Sequence, residues 1–234
     1  MKKMLVMTGG SRGIGLAAVR QFLSAGYVVI NLSRSQCPLE EVQHLDADFS
    51  RQGWEKTISP RLTELLRGAD EIVLVHNSAF LGKGAVGQLQ ADDARSALEI
   101  NVLAPIILNE IVLPHMASGS SILYLGSTLS EKAVPNSAIY VTTKHAIAGL
   151  MRSTCQDLSG TGIHTACVCP GFTDTEMLRQ HIGDDSETLR SIAATNTQGR
   201  LVNPEEIADL LYYCAQSPVV NGSIIHANLG QVEN

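Results

Sequence analysis

The sequence predicts an α/β protein: a doubly wound parallel sheet of about seven strands, helices on both faces, in a single domain over residues 1–234. Three observations carry that expectation. Short runs such as Met4–Met7 and Ile122–Leu125 are solidly apolar, as strands covered on both faces must be. These runs alternate with segments of helical periodicity. No repeat, low-complexity stretch or linker divides the 234 residues, a length that one core can serve.

Taken in order, Met4–Met7 is a buried strand. Residues 13–25 place Ile14, Ala17, Ala18, Phe22 and Leu23 on one helical face, and Gly26 ends that helix. Tyr27–Leu32 is the second strand and Val42–Ala47 the third. The short gap between them contains Pro38, so a loop or single turn joins them. Residues 51–67 read as a helix that Pro60 interrupts. Glu71–His76 is the fourth strand. Asp92–Met116 reads as a long helix kinked at Pro105. Ser121–Leu125 is the fifth strand, Ile139–Leu158 a helix, and Ile163–Cys169 the sixth strand. Asn203 caps a helix that Pro204 opens, and Ser223–His226 is the last strand.

Composition narrows the function. A formal charge of -6 and a pI near 5.6 argue against general affinity for nucleic acid or anionic membrane. Only four apolar residues follow Met1-Lys2-Lys3 before Thr8, too few for a signal-peptide core, and Ile100–Met116 is broken by polar residues and prolines. A cytoplasmic protein is the expectation. The five cysteines show no paired framework, and Cys167 and Cys169 share one strand face as small buried side chains; no metal site is expected.

A strand running into Thr8-Gly9-Gly10-Ser11-Arg12-Gly13-Ile14-Gly15 and then a helix is an anion-binding arrangement. Helix N–H groups and glycines without a Cβ allow close approach of a pyrophosphate. A carboxylate is expected after the second strand if NAD is bound, to hold the ribose. Here that strand ends Asn31-Leu32-Ser33-Arg34, with no acid before Glu40. Arg12 and Arg34 suit a 2′-phosphate instead, so the expected cofactor is NADP(H) over NAD(H). At the other end, Tyr140 and Lys144 lie four residues apart, on one helical face, with Ser127 thirteen residues upstream. A phenol is a poor acid–base group at neutral pH, an adjacent ammonium favours the phenolate, and Lys144 is so placed. His76 and His145 read as structural.

On these residues the chain resembles a short-chain dehydrogenase/reductase, almost end to end. Thr8-Gly9, Gly13 and Gly15 match that family's cofactor turn, and Asp48, followed by Phe49, resembles the acid that meets adenine. His76-Asn77-Ser78-Ala79 falls where Asn-Asn-Ala-Gly is usual. Asn101, Ser127, Tyr140 and Lys144 match the catalytic tetrad in order and spacing. Pro170-Gly171-Phe172-Thr173-Asp174-Thr175 resembles the Pro-Gly motif, with Thr173 and Thr175 beside the cofactor. Gly199-Arg200-Leu201, Pro204–Ala208 and Gly222–Gly230 resemble C-terminal landmarks. The departures are His76 and Ala79, the latter adding a methyl group near the adenosine ribose, and the short crossover after Arg34.

The resemblance implies a Rossmann-type fold and an NADP(H)-dependent oxidoreductase that interconverts a carbonyl and an alcohol. Tyr140 would be the general acid or base, Ser127 would bond the substrate oxygen, Lys144 would also hold the ribose, and Asn101 would anchor a water that links Lys144 to solvent. Gly9, Ser11, Arg12, Gly13, Ile14, Gly15, Ser33, Arg34, Asp48, Phe49, Asn77, Ser78, Pro170, Gly171, Thr173 and Thr175 would join Tyr140 and Lys144 in holding the cofactor. The alternative is a non-catalytic NADP(H)-binding regulator of the same fold. Partners would be a small carbonyl or alcohol and further copies of the chain, in a homodimer or homotetramer built on the helices at 92–116 and 139–158. Phe80, Leu81, Leu129, Val134, Phe172, Met177 and Leu178 are candidates for a mostly apolar substrate pocket. Residues 175–200 read as a lid of two short amphipathic pieces, hinged at Gly183-Asp184-Asp185.

Overall fold

Seven strands pair side by side in parallel in the computed structural model, which describes residues 1–183 and 185–232. They are β1 (Lys3–Thr8), β2 (Val28–Ser33), β3 (Gln43–Asp46), β4 (Glu71–His76), β5 (Ser121–Leu125), β6 (His164–Pro170) and β7 (Ser223–Ala227), in the order β3-β2-β1-β4-β5-β6-β7. The helices are α1 (Gly13–Ser24), α2 (Trp54–Leu66), α3 (Ala91–Leu98), α4 (Ala104–Val112), α5 (Ala138–Asp157), α6 (Glu176–Ile182), α7 (Ser186–Ala193) and α8 (Pro204–Gln216).

Strand alternation sorts the apolar residues into two cores. Met4 and Val6 join Ile30, Leu74 and Ile122 in one core, under α2, α4 and α5. Leu5 and Met7 join Val29, Val73 and Leu123 in the other, under α1 and α8. Leu5, Leu74 and Leu108 are fully buried. Each such side chain contributes about 1.5–3 kcal/mol by leaving water. This is why the strands read as apolar without alternation.

Boundaries fall within a few residues of expectation, and residues between β2 and β3 form the expected loop. Two expectations about proline need correction. Pro60 lies inside α2 without interrupting it. It sits on the exposed face, and so does Lys56, whose carbonyl the proline deprives of a donor; water satisfies such a group. The 92–116 helix is not kinked at Pro105. Residues Glu99–Leu103 form a π-helical turn instead, in which the Ala104 N–H reaches Glu99 O, five residues back. Proline at 105 supplies no N–H to the Asn101 carbonyl, which favours widening the turn there. The whole run Ala91–His115 is long and apolar enough, by composition, to cross a bilayer. Here Ala97, Ala104, Leu108 and Val112 are buried, so it serves as a core helix.

The chain winds from β1 outward to β3, then returns to β4 on the other side of β1. At such a reversal the connections leave in opposite directions, and a crevice opens beyond the carboxyl ends of the strands.

Candidate active site

That crevice is a cleft of ≈ 740 Å³, and every strand end from β1 to β6 feeds it. Gly9, Ser11, Arg12, Gly13, Ile14 and Gly15 line it after β1; Ser33 and Arg34 after β2; Asp48 and Phe49 after β3; Asn77 and Ser78 after β4. Ser127 follows β5, Tyr140 and Lys144 come from α5, and Pro170, Gly171, Thr173 and Thr175 follow β6. Asn101 is the one tetrad residue outside the lining.

The glycine turn fits a diphosphate. Helix α1 begins at Arg12 with no side-chain cap and no acidic residue in its first turn. Its first N–H groups therefore keep their partial positive charge for a ligand. Gly13 has φ +53, and a Cβ there would lie 3.1 Å from the Thr175 methyl. At Gly15 a Cβ would be 2.1 Å from the Gly9 carbonyl oxygen, so the turn closes only without one.

Buried polar side chains hold this turn to the sheet. Asn31 accepts the Gly10 N–H at 2.8 Å and donates to Ser33 Oγ at 2.9 Å. Thr8 Oγ1 accepts the N–H groups of Asn77 and Ser78 at 2.8 and 2.9 Å. The Asn77 amide returns two bonds, to the carbonyls of Thr8 and Gly9. Asn31 was not among the expected site residues; the signal available was an amide in the middle of an apolar strand. Ala79 also lines the cleft and does not adopt a positive φ, so alanine replaces the usual glycine without backbone strain.

Beyond β2, Arg12 and Arg34 are exposed and make no ion pair or hydrogen bond among the described residues. Asp48 is engaged by the Ser50 hydroxyl at 2.6 Å and by Arg51 at 3.2 Å. The Ser50 hydrogen bond, helped by the nearby guanidinium groups, holds its carboxyl below the usual range. Ser33 donates its hydroxyl to the Ser35 carbonyl at 2.7 Å, so its own proton is committed.

At the chemical end, Ser127 Oγ accepts the Leu129 N–H at 3.1 Å. One lone pair is thereby used, and the hydroxyl proton stays free to point into the cleft. Lys144 is buried, and its Nζ donates to the Leu125 carbonyl at 2.8 Å and lies 5.5 Å from the centre of the Tyr140 ring. Sequence spacing put this ammonium on the phenol's face; the sheet end fixes it there. Asn101 is buried behind this pair. Its amide spends its bonds on the Phe80 backbone, at 2.7 and 2.9 Å, and on Thr143 Oγ1 at 3.0 Å. It braces the loop after β4 against α5.

Behind Ser127, Cys167 and Cys169 lie 3.8 Å apart, and Gly126 packs over both sulfurs. The thiol–thiol contact and burial push Cys167 up. All five cysteines are free, and no group of three or more metal-binding side chains occurs among the described residues. His76 is buried: its Nε2 bonds Asn109 Oδ1 at 2.8 Å, and its Nδ1 has no partner among the described residues. Burial pushes it down to about 4. His145 is exposed on the far side of α5, bonded to the Val141 carbonyl.

The segment after Thr175 forms α6 and α7, matching the two amphipathic pieces. Met177, Leu178, His181, Ile182 and Ile192 line the cleft, as do Phe80, Leu81, Leu129, Val134 and Phe172. Neither short helix has a buried residue. The segment is tied at its base, where the Asp174 and Val202 N–H groups bond Val202 and Phe172 at 2.9 Å. Lys83 reaches across to the His181 carbonyl at 2.9 Å. Of the expected hinge, Asp184 lies outside the described residues; Gly183 caps α6 with φ +85.

The family model described as enoyl-(acyl carrier protein) reductase matches residues 9–231. Aquarana catesbeiana has a protein named dehydrogenase/reductase SDR family member 6, 30% identical over 91% of this chain and 89% of its own length. Carbonyl reductase family member 4 of Xenopus tropicalis is 27% identical, over 96% of each chain. The crystal structure of a short chain dehydrogenase family protein from Francisella tularensis superposes with a TM-score of 0.87 at 28% identity, over 98% of each chain.

Proposed function

The chain belongs to the short-chain dehydrogenase/reductase family, and from that premise we propose that it is an NADP(H)-dependent oxidoreductase interconverting a small carbonyl compound and its alcohol. The observation that carries this reading is the meeting, in one cleft, of the uncapped α1 turn with Ser127, Tyr140 and Lys144. A bound nicotinamide would supply the hydride in reduction and accept it in oxidation. The α1 turn would hold the diphosphate, Arg12 and Arg34 the 2′-phosphate, Asp48 and Phe49 the adenine side, and Pro170, Gly171, Thr173 and Thr175 the far half.

Tyr140 gives its phenolic proton to the substrate oxygen in reduction and takes it back in oxidation. Ser127, whose acceptor site Leu129 occupies, donates to that same oxygen and stabilises its growing charge. Lys144 keeps a positive charge behind the ring and offers its remaining N–H groups to the ribose. Lid helices α6 and α7 would exclude water from the hydride path. The outward apolar side chains Leu98, Leu103 and Ile106 on the α3–α4 run would be covered in a homodimer or homotetramer, and we place the protein in the cytoplasm.

The test is a carbonyl and alcohol panel followed by cofactor absorbance, with NADPH and NADH in parallel. Turnover is expected with NADPH, and Tyr140→Phe should lower kcat/KM by roughly 10²–10⁴-fold while sparing cofactor affinity. Substantial activity in that variant would show that Tyr140 is not the acid.

A further inference from the structure

The substrate end of the cleft is apolar, with one unpaired cation in its wall. Val134, Phe172 and Met177 are exposed apolar side chains there, 44%, 42% and 38% accessible. Lys132 stands among them, two residues before Val134, and it makes no ion pair or hydrogen bond among the described residues. Its sequence neighbour Glu131 is the acid that would ordinarily neutralise it. That carboxylate is turned away, bonded to His226 at 2.7 Å and paired with Arg152 at 3.6 Å.

The other charges in the wall have places elsewhere. Arg12, Arg34 and Asp48 follow β1, β2 and β3, at the adenosine end. Lys144 is tied to Leu125. Glu176 opens α6 directly after Thr175, whose methyl faces Gly13, so it belongs to the diphosphate end. Burial, then Lys83, hold His181 below the usual imidazole range. The loop bearing Lys132 is held in place: Gly84 accepts the Ala138 N–H, and its own N–H bonds the Asn136 carbonyl at 3.0 Å. The adjoining Lys83 fastens α6. Among the described residues at this end of the cleft, Lys132 is therefore a lone positive charge, exposed and carried on a supported loop.

We propose that Lys132 selects substrates that carry a single anionic group, a carboxylate, at the end of a short apolar body, opposite the carbonyl that Ser127 and Tyr140 would bind. The chamber's apolar side chains take up the body, and the ammonium takes the anion. A neutral ketone of the same shape satisfies the first contact and not the second. This rests on the oxidoreductase reading and narrows it to oxo acids and hydroxy acids.

The test compares levulinate with methyl levulinate, which share the ketone and differ in the charge. The wild type should favour levulinate by roughly tenfold in kcat/KM, the size of one charge-assisted contact at a partly exposed site. Lys132→Met should bring the ratio close to one by raising KM for levulinate, and Lys132→Arg should restore it. Calorimetry with hexanoate and hexanamide on the protein saturated with NADP reads the same preference without turnover, and Lys132→Met should remove it. Reduction of both ketones at equal kcat/KM, or a preference that survives Lys132→Met, would overturn the proposal and leave the oxidoreductase reading standing. Binding of hexanoate through Lys132 with no turnover of any carbonyl would overturn the oxidoreductase reading, and the assignment of oxo acids with it, while leaving Lys132 as the anion contact.

Discussion

At the turn end of the cleft, Thr8, Asn31 and Asn77 fasten the glycine loop to strand ends through buried and part-buried hydrogen bonds. At the lid end, α6 and α7 bury no residue and rest on the Asp174–Val202 base and the Lys83 bond. The first region offers one geometry, because an unpaired buried amide costs about 1–3 kcal/mol and forbids alternatives. The second can change its side chains with little effect on the core. The firm end is built to hold one shape; the loose end leaves room for variation in what the cleft admits.

The comparison is sharpened most by acid. His76, at the end of β4, stays neutral in the fold because burial disfavours its charged form, and its Nδ1 finds no partner among the described residues. The unfolded chain takes up this proton near pH ~6.5, the folded protein only near about 4. Stability is therefore full above pH ~6.5, and it falls as pH drops through the window toward 4, where only the unfolded state gains the proton, by roughly 3 kcal/mol. Urea midpoints at pH 7 and at pH 4.5 should show this loss in the wild type and much less of it in His76→Asn. Parallel losses in the two proteins would remove His76 as the cause.

A second test stays at the firm end but moves to its exposed rim. Arg12 and Arg34 are solvated, so each contact to a 2′-phosphate is worth about 1 kcal/mol. NADP(H) should bind up to roughly thirtyfold tighter than NAD(H), and Ser33→Asp with Arg34→Leu should reverse the order. Equal dissociation constants in the wild type would refute the preference.

The smallest effect is expected in the lid. Amides of α6 and α7 should exchange fast in the free protein, since helices this short are unstable without packing. NADP(H) with substrate should slow them, and Lys83→Met should speed α6 alone. Full protection in the free protein would make this segment scaffold rather than gate.

Much of this molecule is legible in its sequence. The strands announce themselves through apolar runs, because both faces are covered. Gly13 and Gly15 announce the turn, because φ is +53 at the first and a Cβ at the second would strike the Gly9 carbonyl. Tyr140 and Lys144 need only helical spacing. Less legible are features set by partners distant in the chain. Nothing local reveals that Asn31 bonds Gly10, or that Asn101 spends its amide on Phe80 and Thr143. The prolines mislead for a related reason. Pro60 is harmless because its face is exposed, and the turn before Pro105 widens rather than bends, and both outcomes depend on what surrounds the helix.

The strand order has a consequence for how the chain is made. β2 is laid beside β1, and β3 beside β2; β4 then takes the free side of β1, and β5, β6 and β7 follow outward in turn. No strand has to be inserted between two that are already paired. A chain emerging from the ribosome in order can extend the sheet at an open edge throughout, with one change of edge, at β4. That change of direction is also the place where the crevice opens. The glycine turn, Asp48 and Asn77 are in hand by residue 77, whereas Tyr140, Thr173 and the lid come later. The order of synthesis thus lays down the cradle before the machinery that would act on its contents.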